Sequence, residues 1–152
     1  ELPDGRRGWT EARALVIGRR PPPGLVARVR DLLGVPYLWG GRTPAGIDCS
    51  GLVQLLLGEQ GYRLPRDAAD QERVSRRLGL LERAQPGDLA FFGPARVPAC
   101  HVGVLLGGGY YAHARGRVRI NSLQSTNPLY DNALNKQFRG LRRPPPGARK
   151  RA

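Results

Sequence analysis

Residues 86–122 read PGDLAFFGPARVPACHVGVLLGGGYYAHARGRVRINS, and this stretch decides the fold. After the turn signal Pro86-Gly87, four short runs carry the apolar and aromatic content of strands: Asp88 to Phe92, His101 to Leu106, Tyr110 to Ala114 and Arg117 to Asn121. The second and third meet across Gly107-Gly108-Gly109. Turns this short join antiparallel neighbours, because a parallel crossover needs a dozen or more residues. A meander of antiparallel strands is therefore expected here.

Upstream the period changes. Leu25, Val26, Val29, Leu32 and Leu33 recur like one face of a helix that stops at Gly34 and Pro36. Asp48 is placed to cap a second helix carrying Leu52, Val53, Leu55, Leu56 and Leu57 up to Gly58. Asp67 to Arg77 reads as a third, more polar helix. Helices first and a strand meander after them argue an α+β domain, with helices packed on one antiparallel sheet.

The outer pieces differ in kind. Residues 1–23 hold a turn signal at Asp4-Gly5, short possible strands around Trp9 and around Leu15 to Ile17, and a stop at Pro21-Pro22-Pro23. The end, RGLRRPPPGARKRA from Arg139, is basic, proline-rich and poor in large apolar side chains, and is expected to be a flexible or polyproline-like tail.

At 152 residues the chain has room for one domain, and no apolar run approaches the roughly 18 residues that would cross a bilayer. The net charge is +13, divided as +4 over residues 1–30, +3 over 31–138 and +6 over 139–152. A balanced middle with basic ends suggests a polyanion such as nucleic acid, an anionic membrane or an anionic cell-wall polymer, while the scarcity of lysine, only Lys136 and Lys150, equally fits a genome-wide bias to arginine. Specific nucleic-acid binding is not expected, because the arginine-rich ends lack interleaved aromatics on which bases could stack. Methionine is absent, so the chain is expected to be a processed or excised piece. Two cysteines allow at most one internal disulfide.

Several residues could carry chemistry. Cys49 follows the capping Asp48, so its sulfur sits at the positive end of a helix dipole, where a thiolate is favoured. The two histidines, His101 and His113, fall on adjacent strands and can be neighbours on one face. A thiol with two imidazoles can supply nucleophile, base and orienter: His101 takes the thiol proton and returns it to a leaving amine, and His113 holds the first ring in its working tautomer. Other readings of the same residues are a buried Cys49 with two structural histidines, a Cys49–Cys100 disulfide, and a zinc site of Cys49, Cys100, His101 and His113. The last is opposed by strand alternation, which turns Cys100 away from His101 and makes it a packing residue.

Together the strings LGVPYLWGGRTPAGIDCSGLVQ, LPRDAADQ, PGDLAFFG, HVGVLLGGGYYAHA and RVRINSL resemble the NlpC-type family of bacterial cell-wall cysteine peptidases over about residues 25–143. The resemblance implies a papain-like fold, Cys49 as nucleophile, His101 as base and acid, His113 as third member, and Tyr37 beside the thiolate as an oxyanion donor. It requires no metal or cofactor.

The branch that this chain resembles most is that of γ-D-glutamyl-L-diamino acid endopeptidases, which implies a peptidoglycan stem peptide, L-Ala-γ-D-Glu-diamino acid, as substrate. Ser50 and Asp67 match the residues that bind its free L-Ala amine, and Arg66 and Gln71 support that pocket. The sequence does not fix the compartment; a cell-envelope or secreted location is favoured slightly over cytoplasmic recycling of muropeptides. An acyltransferase or amidase on the same site, and a non-catalytic wall-binding module, are the competing expectations. In that branch, barrels like bacterial Src-homology-three domains precede the catalytic domain. Here residues 1–23 resemble only the last strands of one, leaving 24–143 as the catalytic domain and 144–152 as a basic, disordered tail.

Overall fold

The computed structural model describes residues 24–79 and 81–146. The expected barrel remnant at 1–23 lies outside these residues, as does most of the expected tail. Helix α1 (Leu25–Leu32) buries Val29 and Leu32, two positions of its predicted apolar face. A two-stranded ribbon follows, β1 (Arg42–Thr43) and β2 (Gly46–Ile47). Helix α2 (Cys49–Gly58) then starts where predicted: Asp48 is extended, and its carboxylate accepts the Gly51 N–H at 2.7 Å.

The main sheet has six strands, all paired antiparallel. They are β3 (Arg76–Leu78), β4 (Leu89–Phe92), β5 (His101–Gly107), β6 (Tyr110–Arg115), β7 (Arg117–Ser122) and β8 (Phe138–Arg143), in the order β3-β8-β4-β5-β6-β7. Helix α3 (Ala68–Val74) precedes β3, and the single turn α4 (Asn132–Asn135) precedes β8. The architecture is the α+β arrangement read from the sequence.

Period-two alternation sorts the strand residues into two cores. Leu89, Phe91, Val102, Val104, Ala112 and Ala114 pack with Leu52, Val53, Leu56 and Leu57 of α2. Phe92, Leu105, Tyr111, Leu134 and Leu141 form the second cluster. Each fully buried leucine contributes roughly 1.5–3 kcal/mol, so α2 is fixed firmly against the sheet. The β5–β6 hairpin turns on Gly107, Gly108 and Gly109, all with positive φ (103°, 57° and 79°), which glycine adopts without steric cost.

Two expectations are corrected. The third helix stops at Val74, and Arg76–Leu78 turns into a strand paired with Leu141–Arg143. Residues 139–143 are part of the sheet rather than of a flexible tail. Leu141 is buried, Arg139 and Arg142 both pair with Glu72, and Arg143 pairs with Asp88. The acids that neutralise this basic run stand 55 to 70 residues earlier in the chain, so the run looked uncompensated when read locally. The polyanion-binding charge expected of this end is reduced accordingly.

Candidate active site

Asp48 organises the first half of the site. Its carboxylate accepts from the N–H of Gly51 at 2.7 Å and of Gly40 at 2.9 Å, and Arg66 grips both oxygens. Burial works against its charge, but the Arg66 guanidinium and the two N–H groups outweigh it and hold the carboxyl below the usual range. The sequence reading saw Asp48 only as a helix cap. Its second role shows up only when the chain brings Arg66, 18 residues on, against it.

Ser50 donates its hydroxyl to Asp48 at 3.3 Å and accepts from Arg66 at 2.9 Å. A hydroxyl has one hydrogen and two lone pairs, so one acceptor position is left. Gln71, wholly buried, donates to the backbone carbonyls of Ser50 and Pro65 and so props Ser50 from behind. Asp67 stands at the cap position of α3, but its side chain makes no cap hydrogen bond, and it is exposed. Ser50, Arg66, Asp67, Cys49 and Tyr37 all line one cavity of about 490 Å³, with the exposed Trp39 at its rim.

The second half of the site is on the strands. His101 Nε2 lies 2.8 Å from His113 Nδ1, and His113 Nε2 lies 2.9 Å from Asn121 Oδ1. Asn121 Nδ2 donates to the Leu129 carbonyl at 2.7 Å, which fixes the orientation of the amide. The network therefore assigns every proton: His113 donates from Nε2, accepts at Nδ1 from the Nε2–H of His101, and leaves His101 Nδ1 unprotonated. Asn121 was not singled out in the sequence. It sits at the end of the RVRIN run that was read as strand, and an amide eight residues from a histidine carries no local signal.

Gly103, on the same strand as His101, makes room for this pair. A Cβ there would come within 2.8 Å of the Tyr111 ring and 3.3 Å of the His113 Cβ. Phe92 and Tyr111 hold the imidazoles from the side, with ring centroids 5.8 Å from His101 and 5.1 Å from His113. Burial, followed by the neighbouring His113 and Arg115, pushes His101 down to about 3. Burial also pushes His113 down to about 4, against the opposing pull of its bond to Asn121. Both rings are neutral at pH 7.

Cys49 departs from the expectation of a thiolate. Burial raises its pKa, with the Asp48 charge acting in the same direction, and the N–H groups of Val102, Ser50 and Cys49 itself offset this only in part. Tyr37 is raised as well, by burial and by the negative potential of Cys49 and Asp48. Its position is fixed by the backbone, since its N–H reaches the Gly116 carbonyl at 2.9 Å while Pro36 accepts from Ile47 at 3.1 Å.

Cys100 is corrected: it is an exposed free thiol, not a packing residue. It precedes β5, so strand alternation does not govern it. It shares with Tyr37 the wall between the first cavity and a second of about 260 Å³, into which His101 opens. Cys49 is a free thiol as well, so the two cysteines form no disulfide. Among the described residues no cluster of three or more His, Cys, Asp or Glu side chains could hold a metal.

A capped helix whose thiol meets the backbone N–H of Val102, the residue after His101 on β5, together with an ordered pair of neutral imidazoles, supplies the parts for nucleophilic attack with proton transfer. The NlpC/P60 family matches residues 34–141. The chain belongs to this family. It is 37% identical over 105 residues to the γ-D-glutamyl-L-lysine dipeptidyl-peptidase of Bacillus subtilis, covering 67% of this chain and 35% of that protein. It is 40% identical over 113 residues to dipeptidyl-peptidase 6 of Lysinibacillus sphaericus, covering 72% and 40%. The crystal structure of an NlpC/P60 family protein from Bacillus cereus superposes with a TM-score of 0.67 at 31% identity, over 80% of this chain and 39% of that one. This NlpC/P60 chain thus spans well under half the length of these relatives.

Proposed function

We propose that this NlpC/P60 chain is a cysteine endopeptidase that cleaves the γ-D-glutamyl-L-diamino acid bond of peptidoglycan stem peptides with a free N-terminal L-Ala. The observation that carries the reading is the hydrogen-bonded line from Asn121 through His113 to His101, which leaves His101 Nδ1 as a free base. The γ-D-glutamyl specificity is supported by the name of the Bacillus subtilis relative and by the chemistry of the cavity on the Cys49 side.

In the proposed mechanism, His101 Nδ1 takes the Cys49 proton as the sulfur attacks the γ-carbonyl carbon. The forming imidazolium is stabilised through its Nε2–H bond to His113, which Asn121 holds in the accepting tautomer. The Tyr37 hydroxyl and the N–H of Cys49 donate to the oxyanion. Collapse of the tetrahedral intermediate breaks the C–N bond, and His101 delivers the proton to the departing amine. Water, deprotonated by the same nitrogen, then hydrolyses the thioester and restores the thiol.

Because the resting thiol and imidazole are both neutral, the proton moves with the attack rather than before it. The L-Ala ammonium fits between the open lone pair of Ser50 and the uncapped carboxylate of Asp67, both on the Cys49 side. An acylated amine carries no positive charge and would leave Asp67 unmatched.

The test is release of diaminopimelate from L-Ala-γ-D-Glu-diaminopimelate, free and N-acetylated, by the wild-type chain and by Cys49→Ala. Cleavage of the free peptide alone, abolished in the variant, is the expected result. Equal cleavage of both peptides would remove the amine pocket from the proposal. No cleavage of either would remove the peptidase reading.

A further inference from the structure

Tyr37 and Cys100 divide the site into two cavities, with Cys49 open to the larger and His101 to the smaller. Resting on the reading above, this division fixes the direction of the substrate. The group that protonates the leaving nitrogen must reach it, so the leaving diamino acid falls on the His101 side. The acyl part, with its ammonium, falls on the side of Cys49, Ser50 and Asp67.

The smaller cavity has a definite chemistry. Tyr37 and Leu134 give it apolar surface, and Arg115 and Gln137 give it polar groups. Arg115 is the charged residue among its lining side chains. Its guanidinium is half-exposed and is held by Asp131, Nη1 to Oδ2 at 3.2 Å. The other Asp131 oxygen accepts the Leu134 N–H at 2.9 Å and caps α4, so the anchor of Arg115 and the apolar wall form one unit. A guanidinium has five N–H donors, and one bond to Asp131 leaves most of them available.

We propose that this cavity is the subsite for the leaving diamino acid, and that Arg115 recognises a carboxylate on it. Methylenes of the side chain lie along Tyr37 and Leu134 while the carboxylate accepts from Arg115. Diaminopimelate offers two such groups, the α-carboxylate and the one at the far end of its side chain, whereas lysine offers only the first. Occupancy also acts on the chemistry, because the positive charge of Arg115 disfavours protonation of both histidines. A carboxylate bound there cancels that field as His101 takes up its proton.

The experiment compares kcat and KM for L-Ala-γ-D-Glu joined to diaminopimelate, to diaminopimelate with its α-carboxyl amidated, to lysine, and to lysine amide. The leaving residues carry both carboxylates, the distal one, the α one and none. Wild type, Arg115→Gln and Arg115→Lys are assayed, with thermal melts as the check on folding. The wild type is expected to favour at least one carboxylate-bearing peptide over lysine amide by about tenfold or more, mostly in KM. The glutamine variant should lose that preference and the lysine variant should keep part of it. The two single-carboxylate peptides show which carboxylate is read.

A wild type without preference, or a loss in Arg115→Gln equal for all four peptides, would overturn the subsite while leaving the peptidase reading intact. A wild type that cuts none of the peptides removes both.

Discussion

The two halves of the site are built on opposite electrostatic plans. Around α2 the groups are charged and matched: Asp48 and Arg66 form a gripped ion pair with Ser50 between them, and Asp67 carries a charge that no cap bond uses. On the strands the groups are neutral and buried, and their order comes from hydrogen-bond direction alone, from Asn121 through His113 to His101. In the proposed reaction the charged half would recognise and position, with Ser50 and Asp67 facing the incoming ammonium. In the same proposal the neutral half would transfer protons, since an uncharged imidazole with one committed nitrogen can act as a base at the other. The comparison can be broken at either half.

The largest effect is expected where the halves meet. His101→Ala or Cys49→Ala should lower kcat/KM on the stem peptide by about 10⁴-fold or more, as for members of other nucleophile–base pairs. Their double variant should be little worse than either alone, since the two act as a unit. Additive losses in single-turnover assays would break the proposed coupling. Next comes Asp48→Asn, which keeps a side chain able to cap the helix but removes a buried charge and leaves Arg66 uncompensated. A loss of about 3 kcal/mol of stability is expected, measured by urea unfolding. A loss below about 1 kcal/mol would mean the charged half is a surface pair of ordinary weakness.

What could be read from the sequence follows the same division. Strands β4 to β7, the capped start of α2 and the neighbouring histidines are signals of local periodicity and short turns, and each was legible. Strand β8 was not, because Arg139, Arg142 and Arg143 look like a solvated basic run until Glu72 and Asp88 fold against them. Cys100 was misread because strand alternation was extended one residue beyond the strand. The ionisation of Cys49 was misread because a helix dipole is local, whereas the burial that outweighs it is a property of the packed chain. Asn121 was invisible for a related reason: its meaning lies in a bond to Leu129 that fixes which way its amide faces.

Asn121 also gives the sharper test of the neutral half. Asn121→Ala removes the acceptor of His113 Nε2–H and frees His113 to take the other tautomer, in which Nδ1 no longer accepts from His101. A fall in kcat of about 10–100-fold is expected, with KM nearly unchanged because no substrate group is touched. Asn121→Gln should not restore it, since the longer amide cannot keep both the His113 and Leu129 bonds. Asn121→Asp should retain part of the rate, as a carboxylate still accepts from Nε2–H. Full activity in Asn121→Ala would show that His113 needs no orienting partner, and a change in KM as large as that in kcat would show that Asn121 acts on substrate binding instead.

The last expected effect is on stability, and the pH window in which it appears distinguishes the halves. Both histidines lie below their ordinary value of 6.5 in the folded chain, at about 3 and about 4. Below pH 6.5 the unfolded chain therefore binds protons that the folded chain refuses. Their contribution is complete above pH 6.5 and is lost as the pH falls from there toward the folded values, by up to roughly 1.4 kcal/mol per pH unit for each histidine. Asp48 and Glu72 are held below the usual carboxylate range, so their contribution persists above the ordinary carboxylate values and is lost only at lower pH. Between pH 6.5 and 5 the histidines are thus read almost alone. Urea unfolding across this window should show a steep fall in stability that His113→Asn makes about half as steep. A flat profile would mean that the imidazoles accept protons in the folded state, and the neutral half of the site would then be charged like the other.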